Sequence, residues 1–180
     1  GILDSEEGDD ANLDIDEDGT PDYMDPDTAA YRHPHGLERV RMHASNGNFA
    51  DVTCMGDDDP SLPQSGKPNE EFPFGVNRFL ITGLTPGESV TVTIEFPEPV
   101  ATNSRYYKVG PSRQWEEIEF GSNDGDNRIT LTLTDGDPLT DADGLENGTI
   151  DDPGALSTTG ASSTSSSGGS GGCFISSLFN

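Results

Sequence analysis

Between Val40 and Thr134 apolar side chains recur at every second position, and that period restricts this part of the chain to β-sheet. Val40, Met42 and Ala44 alternate with Arg41 and His43, and Val90, Val92, Ile94 and Phe96 alternate with Thr91, Thr93 and Glu95. Ile118 and Phe120 alternate with Glu117 and Glu119, and Ile129, Leu131 and Leu133 with three threonines. Successive side chains of a strand point to opposite faces, so this pattern gives each strand one buried and one wet face. Further strands are expected at about 50–56, 76–84 and 104–110. Turn signals stand between them at Ser45-Asn-Gly-Asn48, Thr85-Pro-Gly87 and Gly121-Ser-Asn-Asp-Gly125. With hardly any helical periodicity, about seven short strands predict an all-β, antiparallel β-sandwich.

Charge divides the chain into three zones. The sequence holds 34 acidic and 9 basic residues, a net charge of −25. Such an excess argues against nucleic acid or an anionic membrane surface as a partner, because both need clustered Lys and Arg. Twelve carboxylates and no Lys or Arg fall in residues 1–27, whereas all nine basic residues lie between Arg32 and Arg128. From Ser157 onward no side chain is charged. The expected organisation is an arm over 1–30, the sandwich over 31–156, a Ser/Thr/Gly linker over 157–172 and an apolar strand over 173–180. No apolar run reaches the ~20 residues of a membrane-spanning helix. No signal peptide is visible, so a mature or processed piece is expected.

The clearest chemistry lies in the arm. In Asp14-Ile-Asp16-Glu-Asp18-Gly19-Thr20-Pro-Asp22-Tyr-Met-Asp25, carboxylates fall at loop positions 1, 3, 5, 9 and 12, with glycine at position 6. Calcium takes six to eight hard oxygen ligands, and this spacing wraps a short loop around one ion. Asp14, Asp16 and Asp18 are expected to bind directly and Asp22 directly or through water. The Thr20 carbonyl would point inward after the turn at Gly19, and Asp25 would close the shell. The alternative is a solvated acidic linker. Gly1 to Glu7 reads as positions 6 to 12 of a preceding loop, with Asp4 at 9 and Glu7 at 12, or else as a frayed acidic end. Tandem loops of this kind resemble thrombospondin type 3 repeats and the calcium loops of dockerins. A site of this type has little use at cytosolic calcium levels, which points outside the cell.

A second resemblance covers roughly residues 37–155. Phe74-Gly-Val-Asn-Arg-Phe-Leu-Ile-Thr-Gly-Leu84, Pro86-Gly-Glu-Ser-Val-Thr-Val-Thr-Ile94 and Tyr106-Tyr-Lys-Val-Gly-Pro111 carry it. So do Gln114-Trp115, Ile129-Thr-Leu-Thr-Leu-Thr-Asp-Gly136 and Asn147-Gly-Thr-Ile-Asp-Asp-Pro-Gly154. Together they are similar to the choice-of-anchor U domain. The resemblance implies a bacterial extracellular β domain found near C-terminal surface-anchoring signals, without catalytic residues.

After Ser157 a Ser/Thr/Gly run cannot bury enough apolar surface to order itself and is expected to act as a flexible tether. It ends in Cys173-Phe174-Ile175-Ser-Ser-Leu178-Phe179-Asn180, whose start resembles the CFI-box segment of bacterial surface proteins. Phe174, Ile175, Leu178 and Phe179 need burial, and addition to an exposed sheet edge would supply it. Docking on the same molecule makes the tail a lid; docking on a neighbour makes a homopolymer. Cys54 is either a free core thiol or the partner of Cys173 in a disulfide that locks the docked tail.

The remaining candidates are weaker. Asp135, Asp137, Asp141, Asp143 and Glu146 form a second acidic cluster after the last expected strand, either a further calcium site or a solvated loop; Asp57, Asp58 and Asp59 rank below it. Trp115, Tyr106 and Tyr107 suit a glycan-stacking platform or the edge of the core. His33 and His35 lack the further ligands that zinc requires. No Gly-x-Ser-x-Gly elbow is present, and carboxylates are too plentiful to single out a glycosidase pair. The sequence therefore predicts a non-enzymatic, calcium-binding structural protein of the bacterial surface, self-associating through its tail, with a glycan-binding module as the alternative.

Overall fold

The computed structural model of the chain describes residues 13–34, 36 and 38–158. The expected tail contacts of Cys173 to Phe179, the Cys54–Cys173 pairing, the linker beyond Thr158, His35 and the partial loop of Asp4 and Glu7 lie outside the described residues. Of the expected linker, Ser157 instead ends the last strand and Thr158 bridges to Glu71.

Among the described residues, nine strands form two antiparallel sheets. They are β1 (Thr28–Arg32), β2 (Arg39–Ala44), β3 (Asn48–Met55), β4 (Val76–Thr82), β5 (Ser89–Glu95), β6 (Arg105–Val109), β7 (Trp115–Ile118), β8 (Arg128–Thr134) and β9 (Thr149–Ser157). One sheet runs β1-β2-β5-β8 and the other β3-β4-β9-β6-β7. The only helical turn among the described residues is a 3-10 turn at Asp22–Met24. The expected β-sandwich is therefore present, with two strands, β1 and β9, that the alternation did not predict.

The alternating residues meet between the sheets. Val40 and Met42 of β2, Val92 and Ile94 of β5, and Ile129, Leu131 and Leu133 of β8 face Phe79 and Ile81 of β4 and Ile150 and Leu156 of β9. Each such side chain contributes about 1.5–3 kcal/mol when fully buried. On the wet face of the four-stranded sheet the threonines pair across strands, Thr91 opposite Thr132 and Thr93 opposite Thr130.

The five-stranded sheet is covered on its other side as well. The long connection from β3 to β4 lays Leu62 and Phe72 over Val76, Tyr107 and Ala155, with Met55 and Trp115 at the margin. Phe72 stacks on the Trp115 indole at 5.7 Å between centroids, and the indole N–H donates to the Pro63 carbonyl at 2.7 Å. Strands β6 and β9 are thus buried on both faces, which removes the alternation from their sequence.

In β9, Thr-Ile-Asp-Asp-Pro-Gly reads locally as a turn, yet the strand lies at the centre of its sheet. Pro153 stands one residue before the pairing with β6 begins at Gly154. On that side there is no ladder for its missing N–H to interrupt.

Candidate metal centre

Residues 13–27 precede β1, and a few backbone contacts shape them. The Asp22 N–H donates to the Leu13 carbonyl at 2.9 Å, and the Ile15 N–H donates to Asp22 Oδ1 at 2.8 Å. These two bonds close a loop whose far end turns through Glu17 at φ +63° and Gly19 at φ +95°. The turn requires left-handed backbone at position 19, where glycine carries no steric penalty. Asp22 then starts the 3-10 turn. The Thr28 hydroxyl at the head of β1 donates to the carbonyls of Asp22 and Asp25 at 2.8 and 3.1 Å. Two further bonds hold the arm to the sandwich: Ala44 N–H to Asp27 O at 2.9 Å and Phe49 N–H to Pro26 O at 2.8 Å.

Inside that loop the carboxylates converge. Asp14, Asp16 and Asp18 each offer an oxygen, and these atoms lie within 4.8 Å of one another. A second group shares Asp16 and adds Asp27 and His43 of β2 at the same mutual range. Asp25 joins through Asp27, whose N–H donates to Asp25 Oδ1 at 3.2 Å. The three loop carboxylates are oriented by backbone donors. Gly19 N–H reaches Asp14 Oδ2 at 3.0 Å, Asp18 N–H reaches Asp16 Oδ1 at 3.3 Å, and Thr20 N–H reaches Asp18 Oδ1 at 2.6 Å.

The cluster is short of positive charge. Asp14 Oδ1, Asp25 Oδ2 and Asp27 Oδ1 are shielded from solvent without a hydrogen-bond partner among the described residues. His43 Nδ1 stands 3.5 Å from Asp16 and 3.7 Å from Asp27, too far for a hydrogen bond. A buried acceptor left unmet costs about 1–3 kcal/mol, more when it is charged. Burial, followed by the hydrogen bond and charge of Asp25, pushes the Asp27 carboxyl up to about 6, against the pull of His43. Hard oxygens with unused lone pairs suit a divalent cation of the calcium class. These residues fit the ion that the spacing predicts.

Two details differ from the expected ligand set. Asp22 is buried and uses Oδ1 to close the loop through Ile15; desolvation lifts its pKa above the ordinary value. Asp27 lies beyond the twelve-residue loop, yet its carboxylate comes together with Asp16 and His43. The only trace in the sequence is an acid two residues after Asp25, directly before the strand whose first residue pairs with His43.

The other candidates fall elsewhere. Asp135 is buried and accepts four backbone N–H groups: Gly87 at 2.8 Å and Gly148 at 2.9 Å on Oδ2, Asn147 at 3.3 Å and Thr149 at 3.2 Å on Oδ1. Burial alone would raise this carboxyl, but the four donors together hold it below the ordinary range. Asp141 accepts from Gly136, Asp151 and Asp143, Asp137 from Leu139, and Asp143 from Leu145 and the Asn147 amide. This second cluster ties loops together through its own amides, and Glu146 packs beside Gly136.

Asp57 pairs with Lys67 at 2.8 Å, and Asp59 accepts from the Ser61 N–H at 2.8 Å. His33 packs edge-on against Phe74. Tyr106 is fully buried, Tyr107 nearly so, and Trp115 is half-buried against Phe72, so the three aromatics form no exposed stacking surface. The Cys54 thiol donates to the Phe74 carbonyl at 3.4 Å, and burial pushes its pKa up to about 12. Comparison with family models, curated proteins and solved structures finds no match to this chain.

Proposed function

We propose that this protein is an extracellular, calcium-binding structural β-sandwich of a bacterial surface or matrix, and that calcium fixes its N-terminal arm to the sandwich. Asp14, Asp16, Asp18 and Asp25 are the protein ligands, with the Thr20 carbonyl completing the loop. Asp27 supplies an additional carboxylate from the head of β1. The observation that carries this reading is the set of buried carboxylate oxygens at Asp14, Asp25 and Asp27 with no donor among the described residues. A divalent ion held by Asp14, Asp16 and Asp18 would use the unmet Asp14 oxygen and neutralise the repulsion within the loop, and the neighbouring group of Asp16, Asp27 and His43 shares Asp16 with it. The likeness to the choice-of-anchor U domain and to thrombospondin type 3 repeats supports the extracellular setting. Homopolymer formation through residues 173–180 belongs to the same proposal; β3, at eight residues, is the longest of the described edge strands.

An extracellular module of this kind binds calcium at about 10⁻⁴–10⁻³ M. A tenfold excess over the dissociation constant stabilises the bound state by about 1.4 kcal/mol. Titration calorimetry with calcium should register one saturable event that Asp14→Asn with Asp16→Asn abolishes. Absence of heat at millimolar calcium, or identical heat from the double variant, refutes the site. Electron microscopy with and without calcium, on the full chain and on a chain ending at residue 172, tests the polymer separately. Equal assembly by both chains removes the tail from the mechanism.

A further inference from the structure

One pair of charged groups sits inside the sandwich. Along β9, Ile150, Asp152, Gly154 and Leu156 share one side, and Ile150 and Leu156 belong to the core between the sheets. Along β6, Tyr106 and Lys108 share the corresponding side. Lys108 is paired with Gly154, so it lies diagonal to Asp152, within reach of a long side chain. Its Nζ approaches Asp152 Oδ1 to 3.0 Å, with the two side chains 2% and 0% exposed. Nζ also donates to the Thr140 carbonyl at 2.6 Å.

An ion pair in this position gains little net stability, because removing two charges from water offsets most of their attraction. The pair is also incomplete. Asp152 Oδ2 has no partner among the described residues, and neither has the Nδ2 group of Asn77, a buried amide on the adjacent strand β4. Asn77 is paired with Gly154 on the opposite side of β9, and its Oδ1 accepts the Tyr106 hydroxyl at 3.3 Å. The tyrosine ring lies over Gly154, where a Cβ would stand 2.6 Å from it. An amine and a carboxyl group are thus enclosed together, and the buried Tyr106 phenol interacts with that carboxyl.

We propose that Lys108 and Asp152 condense to an intramolecular amide that covalently staples β6 to β9. A proton passes from the ammonium to the carboxylate, leaving an amine and a carboxylic acid. Burial favours that neutral arrangement, since it withdraws solvation from charge. It also raises the Asp152 carboxyl above its ordinary range, against the pull of Lys108. The Nζ lone pair attacks Cγ, and the Nζ–Cγ bond forms. The carboxyl hydroxyl departs with a proton from the nitrogen, so one water leaves and no oxidant or other reagent is needed. The Thr140 carbonyl holds one N–H and aims the lone pair. Groups held in this way react at effective concentrations of about 10⁵–10⁸ M, and scarcity of water in the core opposes the reverse reaction.

High-resolution mass spectrometry of the denatured, purified full chain tests the proposal. The expected mass is that of the sequence less one water. Trypsin should fail to cut after Lys108 and should leave peptide 106–113 joined to peptide 129–180. Lys108→Arg should show its full calculated mass. Asp152→Asn should reach the same final mass as the wild type by losing ammonia instead, a readout that a purely structural role would not produce. A wild-type mass equal to the full sequence, with tryptic cleavage after Lys108, overturns the proposal. Loss of ammonia from the wild type would put the bond on Asn77 and overturn Asp152 as the acyl group.

Discussion

Replacing Asp135 separates a loop-tying carboxylate from a metal ligand, since both were open from the sequence. Its two oxygens hold the N–H groups of Gly87, Asn147, Gly148 and Thr149, joining the β4–β5 turn to the segment leading into β9. A hydrogen bond to a charged acceptor contributes about 1.5–3 kcal/mol. Gly148 is buried, whereas Gly87 and Asn147 are exposed residues that water can reach, and Thr149 keeps a second acceptor in the Asn147 side chain at 2.9 Å. Asp135→Ala should therefore cost about 3–5 kcal/mol, less than the sum of four bonds, because only Gly148 bears the full loss. Asp135→Asn retains one oxygen for Gly87 and Gly148 and should cost about 1–2 kcal/mol. Urea unfolding followed by tryptophan fluorescence measures both, and in a chain of this size each kcal/mol lowers Tm by about 2–4 °C. The losses should be the same in calcium and in chelator. A loss below about 0.5 kcal/mol for the alanine variant, or one that appears only in calcium, refutes the account and returns Asp135 to the metal ligands.

The same carboxylate sets a pH dependence. The four N–H donors hold its folded pKa below the ordinary aspartate value of 3.8, so its stabilisation is complete above that pH and is lost as pH falls through the folded value; the Asp135→Asn penalty should shrink under acid unfolding below pH 3.8. Trp115→Ala removes the stack on Phe72 and the bond to Pro63 and should cost about 1–3 kcal/mol by thermal unfolding, less than for a fully buried ring. Gly154→Ala drives a methyl into the Tyr106 ring and should cost at least about 1–3 kcal/mol, read as a lowered urea midpoint; an unchanged midpoint would show that the ring can move aside. Cys54, held as a thiol by burial, should resist a thiolate-selective reagent in the folded protein and react on denaturation.

The parts legible in the sequence were those governed by one face. In β2, β5 and β8 one side meets the core and the other meets water, so the alternation named both the strands and their inward residues. Strand β6 was expected at about 104–110 although it lacks that contrast, whereas β9 was missed: the β3–β4 connection covers its second face, and no local pattern announces a distant loop. Strand β1 is only five residues of mostly small side chains, too brief for a period to show. In the arm, spacing put Asp14, Asp16 and Asp18 on one loop, and their carboxylates do converge there. The spacing did not point to Asp27, whose place beside Asp16 and His43 comes from pairing of β1 with β2, nor to the use of Asp22 Oδ1 in closing the loop through Ile15. The Lys108–Asp152 pair was invisible for the same reason as β9: residues 44 positions apart meet only after the sheet is built.

The central place of β9 bears on how the molecule carries load. Its neighbours hold it from Asn77 to Thr82 on one side and from Arg105 to Lys108 on the other. Tension on the chain beyond Thr158 runs along this strand and has to slide it past both neighbours together, so many backbone bonds resist at once. A rim strand under the same pull would unzip one bond after another. A protein tethered through its C-terminal side would thus hang from its most firmly gripped segment, and an amide at Asp152 would stop extension there even after the hydrogen bonds had given way.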